Sequence, residues 1–211
     1  MATGRARWLI VALPALVLLV DLLITQLQPG TAVLAALDET AHLSTAALVL
    51  SVGWSVLRAR DLAARVPRPF WVVALLSAVA IDVDHVPGTV FGSDAFSQDV
   101  ARPYSHSLLT PLLLGLLALA LRVRPGVRGP AGTGVALAGG AAVGVCLHFS
   151  RDLFTGPGLP LAWPLSDATA ALPYVVYLLF LLAVTAVGLV TVRDGGGPGR
   201  RVLRRSGRTS A

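Results

Sequence analysis

Six apolar runs, at residues 8–25, 42–57, 69–86, 107–121, 132–149 and 172–192, decide most of what this chain can become. A run of about 20 apolar residues crosses a bilayer as a helix, because lipid offers backbone N–H and C=O groups no partner but one another. Hydrophobic residues make up 55% of the 211 and charged ones 13%, with a mean hydropathy of +0.75, which excludes an ordinary soluble domain. The runs predict an all-α membrane protein, a bundle of about six transmembrane helices over residues 1–192. The second and fourth runs are short for a crossing, which implies little tilt or a locally thinned bilayer.

Arg5 and Arg7 ahead of the first run resemble the start of a secretory signal. The length of the run, Asp21 inside it, and Gln26, Gln28, Pro29 and Gly30 in place of a small-residue cleavage site favour a first transmembrane helix instead. Short cytoplasmic loops collect basic residues. With the N-terminus inside, fifteen of the 17 arginines fall on the inner side and only Arg102 and Arg151 on the outer, which predicts six helices with both termini in the cytoplasm.

The net charge of +6 is not spread like a nucleic-acid-binding face, so no nucleic-acid partner is expected. Every basic residue is arginine, which, beside abundant Ala, Gly, Val and Pro, points to genomic base bias rather than guanidinium chemistry. Residues 193–211 are rich in Gly and Arg without apolar periodicity. They predict a disordered basic tail held near anionic membrane lipids, each arginine worth about 1 kcal/mol. The single Cys146 allows no internal disulfide and is expected as a small core residue. There is no internal repeat and no second domain.

The same topology gathers Asp38, Glu39, Asp82, Asp84, Asp94, Asp99, Asp152 and Asp167 in outer loops or at outer helix ends, together with His42, His85, His106 and His148. The helix ends are expected to converge just beneath the outer headgroups. His148 and Asp152 stand at i and i+4, so a helix projects both from one face. Gly156, Pro157, Gly158 and Pro160 then end that helix, and Trp163-Pro164 sets a turn. Asp82, Asp84 and His85 finish the third apolar run. Asp82 and His85 share a face at i, i+3, whereas Asp84 points elsewhere unless the helix unwinds before Pro87.

A charged group costs about 2.5–3.5 kcal/mol or more at the bilayer centre and less near the interface, so such groups generally have partners and functions. Ser105 is the expected N-cap of the fourth helix, with His106 in its first turn, where a neutral imidazole is better tolerated than a cation. His42 opens the second helix behind Asp38, Glu39 and Thr40. Asp21 reads two ways, as a partner orienting an arginine or histidine, or as a buried polar residue with no catalytic consequence.

Together these side chains supply more imidazole and carboxylate than one ion requires. Histidine and carboxylate without thiolate suits Zn²⁺ first, with Mn²⁺ and Fe²⁺ as alternatives, and the surplus can orient ligands or act as a base. Such an ion lowers the pKa of bound water toward about 7, so the chemistry implied is hydrolysis.

The segments Asp82-Val-Asp-His85, Arg102-Pro-Tyr-Ser-His106-Ser-Leu-Leu, and His148-x-x-x-Asp152-x-x-Thr155 leading to Leu161-Ala-Trp-Pro-Leu-Ser166 resemble the successive motifs of the predicted membrane-bound metal-dependent hydrolases. That bacterial family is similar to the LexA-regulated inner-membrane hydrolase, and the resemblance covers most of the chain from His42 to Ser166. It departs at Ala101, where the family commonly has histidine, and at Ser105, where threonine is usual. The resemblance implies a multi-pass hydrolase of the bacterial cytoplasmic membrane. His42, Asp82, His85, His106, His148 and Asp152 would be metal ligands, Asp84 the general base or a further ligand, and Arg102 or Arg151 the anchor for an anionic group. An outward-facing site suggests a phospholipid or lipid-linked phosphate as substrate.

Two other readings compete. Arg102-Pro103 and Ser105-His106 superficially match elements of a metal-free six-helix lipid phosphatase, although its lysine is missing, as is the glycine before the histidine. A non-catalytic protein that binds metal for stability or assembly is the other.

Overall fold

The computed structural model describes residues 2–85, 102–124 and 131–194. Among the described residues six α-helices follow one another: α1 (Ala2–Leu27), α2 (Thr31–Ala59), α3 (Arg68–Ala80), α4 (Leu109–Val123), α5 (Ala131–Thr155) and α6 (Tyr174–Asp194). Short 3-10 turns occur at Ala63–Arg65, Ile81–His85 and Tyr104–His106. No β-strand occurs among the described residues; Leu159 and Ala170 make one isolated antiparallel bridge. The described residues are therefore all-helical apart from loops, and four of their helices, α1, α2, α5 and α6, are long and apolar enough to cross a membrane. With 13 and 15 residues, α3 and α4 fall short of the ~20 that a crossing needs.

The second helix differs most from expectation. It begins at Thr31, behind Gly30, and runs for 29 residues, so it is the longest helix rather than a short one starting at His42. Residues 31–41 are mostly Ala and Leu, strong helix formers, and they carry the helix through the polar Asp38, Glu39 and Thr40. The short members are the third and fourth. In the third, the α-helix stops at Ala80 and residues 81–85, which carry Asp82, Asp84 and His85, tighten into a 3-10 turn. Ser105 is not a helix cap: Leu108 precedes α4, and His106 sits in a separate 3-10 turn. Of the basic tail, residues 193 and 194 complete α6, and everything from 195 on lies outside the described residues, as do Asp94, Asp99 and Ala101.

Burial organises the bundle around two seams. Ile10 and Val17 of α1 pack with Leu48 and Val52 of α2 and with Tyr177 and Leu181 of α6. Ala46, Ala78 and Leu147 join α2, α3 and α5. The outside is studded with large apolar side chains such as Leu18, Leu19, Leu117, Leu119, Leu179 and Leu182. A surface of that kind suits lipid contact and not water. Cys146 belongs to this exposed surface rather than to the core.

The α3–α5 seam depends on close backbone approach. A Cβ on Gly140 would meet the Phe70 carbonyl oxygen at 2.5 Å, and one on Gly144 would meet that of Ala74 at 2.4 Å. Glycines four apart on one helix face let the backbones touch, which is how helices associate in lipid without a hydrophobic driving force. Gly144→Leu should therefore push α3 away and destabilise the fold by at least the ~1–3 kcal/mol typical of overpacking. Because α3 delivers residues 81–85, metal uptake should fall with it; melting in detergent and elemental analysis read both effects.

The C-terminal ends of α1, α3 and α5 and the N-terminal ends of α2, α4 and α6 gather at one end of the bundle. Residues 156–173 close over it. The Leu159 and Ala170 backbones bond each other at 2.9 and 2.8 Å, the Leu172 N–H donates to Leu153 O at 2.6 Å, and the Leu108 N–H donates to Leu161 O at 3.1 Å. Tyr104 stacks on Trp163 with ring centroids 4.7 Å apart. The loop thus pins the turn that carries His106.

Candidate metal centre

Three polar segments meet a fourth at this end. Helix α5 presents His148 and Asp152 one turn apart, α2 presents His42, the turn after α3 presents Asp82, Asp84 and His85, and the turn before α4 presents His106. The donors of α2 and α5 lie within the bundle rather than at the helix tips, while the other four sit in turns at helix ends. His42 is eleven residues past the start of α2, roughly 17 Å along the axis, and His148 is seven before the end of α5, roughly 10 Å. All six expected ligands and Asp84 come together here.

Asp152, fully buried, is the hub. Its Oδ1 is 3.2 Å from His42 Nε2, and its Oδ2 is 2.9 Å from His148 Nε2, 3.8 Å from His106 Nε2 and 2.8 Å from Arg102 Nη1. The His42 and His148 rings stack in parallel, 3.9 Å between centroids. Asp82 is a second hub nearer the opening. Its Oδ1 lies 3.0 Å from His106 Nε2 and 3.4 Å from both His85 Nε2 and His148 Nε2. Asp84 faces inward, as expected if the α-helix ends before Pro87: it stops at Ala80, and residues 81–85 are wound as a 3-10 turn. Its Oδ2 accepts a hydrogen bond from the Ser105 hydroxyl and lies 3.6 Å from His106 Nδ1.

The chemistry of these donors fits a divalent cation. His148 Nδ1 donates to the Ala78 carbonyl oxygen at 2.9 Å, and since a carbonyl only accepts, Nδ1 holds the proton. The Nε2 lone pair then faces carboxylate oxygens of Asp152 and Asp82, an arrangement that needs a cation or a second proton between them. His148 Nε2, both nitrogens of His42 and both oxygens of Asp152 are buried with no hydrogen-bond partner. Orphaned donors of this kind are costly unless something joins them. Two groups have ligand atoms within 4.8 Å of one another: His42, His148 and Asp152, all buried, and Asp82, Asp84, His85 and His106, partly open.

Around Asp82 the charges oppose burial. Desolvation alone would raise its carboxyl, but the imidazoles of His106, His148 and His85 gathered around it hold it far below the usual carboxylate range. Burial would likewise lower His106, yet the bonds to Asp82 and Asp84 win and keep its imidazole protonated above the ordinary 6.5. An ion taking His106 as a ligand must displace that proton. Metal affinity should therefore rise with pH, by up to about tenfold per unit until the raised pKa of His106 is passed. Isothermal titration with Zn²⁺ across pH, in buffers of different ionisation enthalpy, counts the released proton.

Beside this cluster a cavity of about 600 Å³ opens between α1, α2 and α5. Leu18, Leu22, Ile24 and Leu34 give it an apolar side, while Asp21, Asp38, Arg102, Arg151 and Tyr174 give it a polar one. Arg102 joins cavity and cluster: one nitrogen pairs with Asp152, and Nε is buried without a hydrogen-bond partner. Arg151 is differently placed. Its Nη2 binds Asp21 Oδ1 at 2.7 Å and Asp38 Oδ1 at 3.0 Å, and Tyr174 donates to Asp21 Oδ2 at 2.6 Å. This arginine ties α1, α2 and α5 together, which gives Asp21 the orienting role among its two readings.

Glu39 was not expected in the site, yet its carboxyl lies beside that of Asp82, and two carboxyls so close share a proton or a cation. Its signal was the i, i+3 spacing to His42, legible only once α2 extends back past residue 39. A family model described as YdjM inner membrane protein matches residues 23–207 of the chain. No curated protein and no solved structure matches.

Proposed function

The chain belongs to the YdjM inner membrane protein family, and from that membership and the side-chain cluster we propose a metal-dependent hydrolase of the bacterial cytoplasmic membrane, acting on a lipid or lipid-linked phosphate ester. One observation carries the reading: four imidazoles and three carboxylates from four separated segments converge, with His42 Nε2, His148 Nε2 and both Asp152 oxygens buried without a hydrogen-bond partner. The arginine distribution supports both termini in the cytoplasm, which puts the cluster at the outer side.

His42, Asp82, His85, His106, His148 and Asp152 would hold the metal, with Zn²⁺ the first choice for this donor set. A divalent ion there supplies Lewis acidity and brings the pKa of water toward about 7. Asp84 Oδ1, buried with no hydrogen-bond partner, is placed to take a proton from the attacking water, while the Ser105 hydroxyl holds its other oxygen. Arg102 aims its unused donors at the cavity and suits an anionic oxygen, for which its planar fork is preorganised. The apolar wall of the cavity suits acyl or prenyl chain.

Protein purified in detergent should hydrolyse phosphate esters, lose that activity on thorough chelation and recover it with Zn²⁺ or Mn²⁺. Asp84→Asn should lower the rate by about 10²–10⁴-fold, the usual worth of a general base. Activity that survives complete metal removal would instead favour the metal-free phosphatase.

A further inference from the structure

We propose that the cluster is a two-ion centre in which Asp82 lies between the ions. The inference rests on the cluster being a metal site and not on what it hydrolyses. His42, His148 and Asp152 form the deeper position, and Asp82, Asp84, His85 and His106 the one nearer the opening.

Three observations converge on two ions. The donor count is the first. A catalytic zinc takes three protein ligands and a structural one four, so one ion leaves at least three of these seven donors unused. The donors form two sets, each gathered within 4.8 Å.

The second observation is how the sets meet. Asp82 Oδ1 is 3.0 Å from His106 Nε2 in its own set and 3.4 Å from His148 Nε2 in the other. Asp152 Oδ2 reaches across in the opposite direction, 2.9 Å from His148 Nε2 and 3.8 Å from His106 Nε2. A carboxylate flanked on both sides by imidazole nitrogens is placed to bridge two ions, which in such centres stand about 3.5–4 Å apart.

The third is charge. Among the described residues of this end, the guanidiniums of Arg102 and Arg151 are the fixed positive charges beside Asp21, Asp38, Glu39, Asp82, Asp84 and Asp152. With the imidazoles neutral, as ligands must be, and one proton shared between Glu39 and Asp82, six carboxyls and two arginines leave three negative charges, more than one divalent ion neutralises. A paired centre also narrows the substrate class, because two ions clamp the attacking and leaving oxygens of an in-line displacement at phosphorus.

The test uses the full chain in detergent, stripped of metal and reloaded with Zn²⁺, with bound ions per chain measured by elemental mass spectrometry after gel filtration. The expected result is two per chain for the parent and one for each of His85→Ala and His42→Gln. His85 is partly exposed and tolerates truncation; the His42 variant is accompanied by a melting curve. Loaded with Mn²⁺, the parent should give an exchange-coupled electron paramagnetic resonance spectrum, and the His85 variant the six-line signal of an isolated ion. One ion in the parent, lost in both variants, would overturn the two-ion assignment and leave the metal hydrolase standing. Two ions retained in either variant would overturn the division of ligands. No bound ion in the parent would overturn both readings.

Discussion

Asp152→Asn should cost the deeper metal position more than 100-fold in affinity, a larger loss than the ~10–100-fold that follows when only a ligand's supporting partner is removed. Asp152 touches His42, His148, His106 and Arg102 at once, and it is the single carboxylate of the fully buried set. Asparagine has the same outline and keeps one carbonyl acceptor for Arg102, so the bundle should still assemble. What disappears is the negative charge that pairs with the ion and sets the orientation of Arg102. Hydrolysis should fall below detection with it. Zn²⁺ titration of the folded variant gives the affinity directly. Binding at parental strength would mean that the ion, if any, sits elsewhere.

Arg151→Ala should give the largest loss of stability. The side chain is 2% exposed and its guanidinium binds carboxylates on two other helices. Removing one partner of a buried ion pair costs about 3–5 kcal/mol, because the remaining charge is left uncompensated. At about 2–4 °C per kcal/mol for a chain of this size, melting in detergent should fall by roughly 6–20 °C. Lysine should rescue only part, since a point ammonium cannot fork between Asp21 and Asp38 as the guanidinium does. Adding Asp21→Ala should recover stability, and the size of the recovery measures the pair. Metal stoichiometry of the folded fraction should stay close to the parent, as Arg151 meets the ligands only indirectly, through Asp38 at 3.8 Å from His42. An unchanged melting point would show the network to be incidental.

These two residues also mark where linear pattern stops being informative. The six apolar runs became six helices, because the need to satisfy backbone hydrogen bonds within a lipid-exposed segment acts on each segment alone. That α2 starts at Thr31 rather than His42 has a related reason. Asp38, Glu39 and Thr40 look like loop when polarity is equated with exposure, yet in the bundle Asp38 meets Arg151, Glu39 meets Asp82, and Thr40 returns its hydroxyl to Ala36 O. The glycines of the α3–α5 seam carried a usable four-residue spacing, but only the facing carbonyls of Phe70 and Ala74 give that spacing a meaning.

By itself the sequence determined an all-helical membrane bundle and the side chains with metal-binding chemistry, since hydropathy and i, i+4 spacing are local properties that survive any arrangement of the helices. Only the tertiary structure decided that Asp21 serves Arg151, 130 positions away, that Glu39 joins the site, and that the donors fall into two sets meeting at Asp82. Those outcomes depend on distances between segments remote in the chain, and such distances are set by how α3, α5 and α2 pack rather than by any residue's neighbours in sequence.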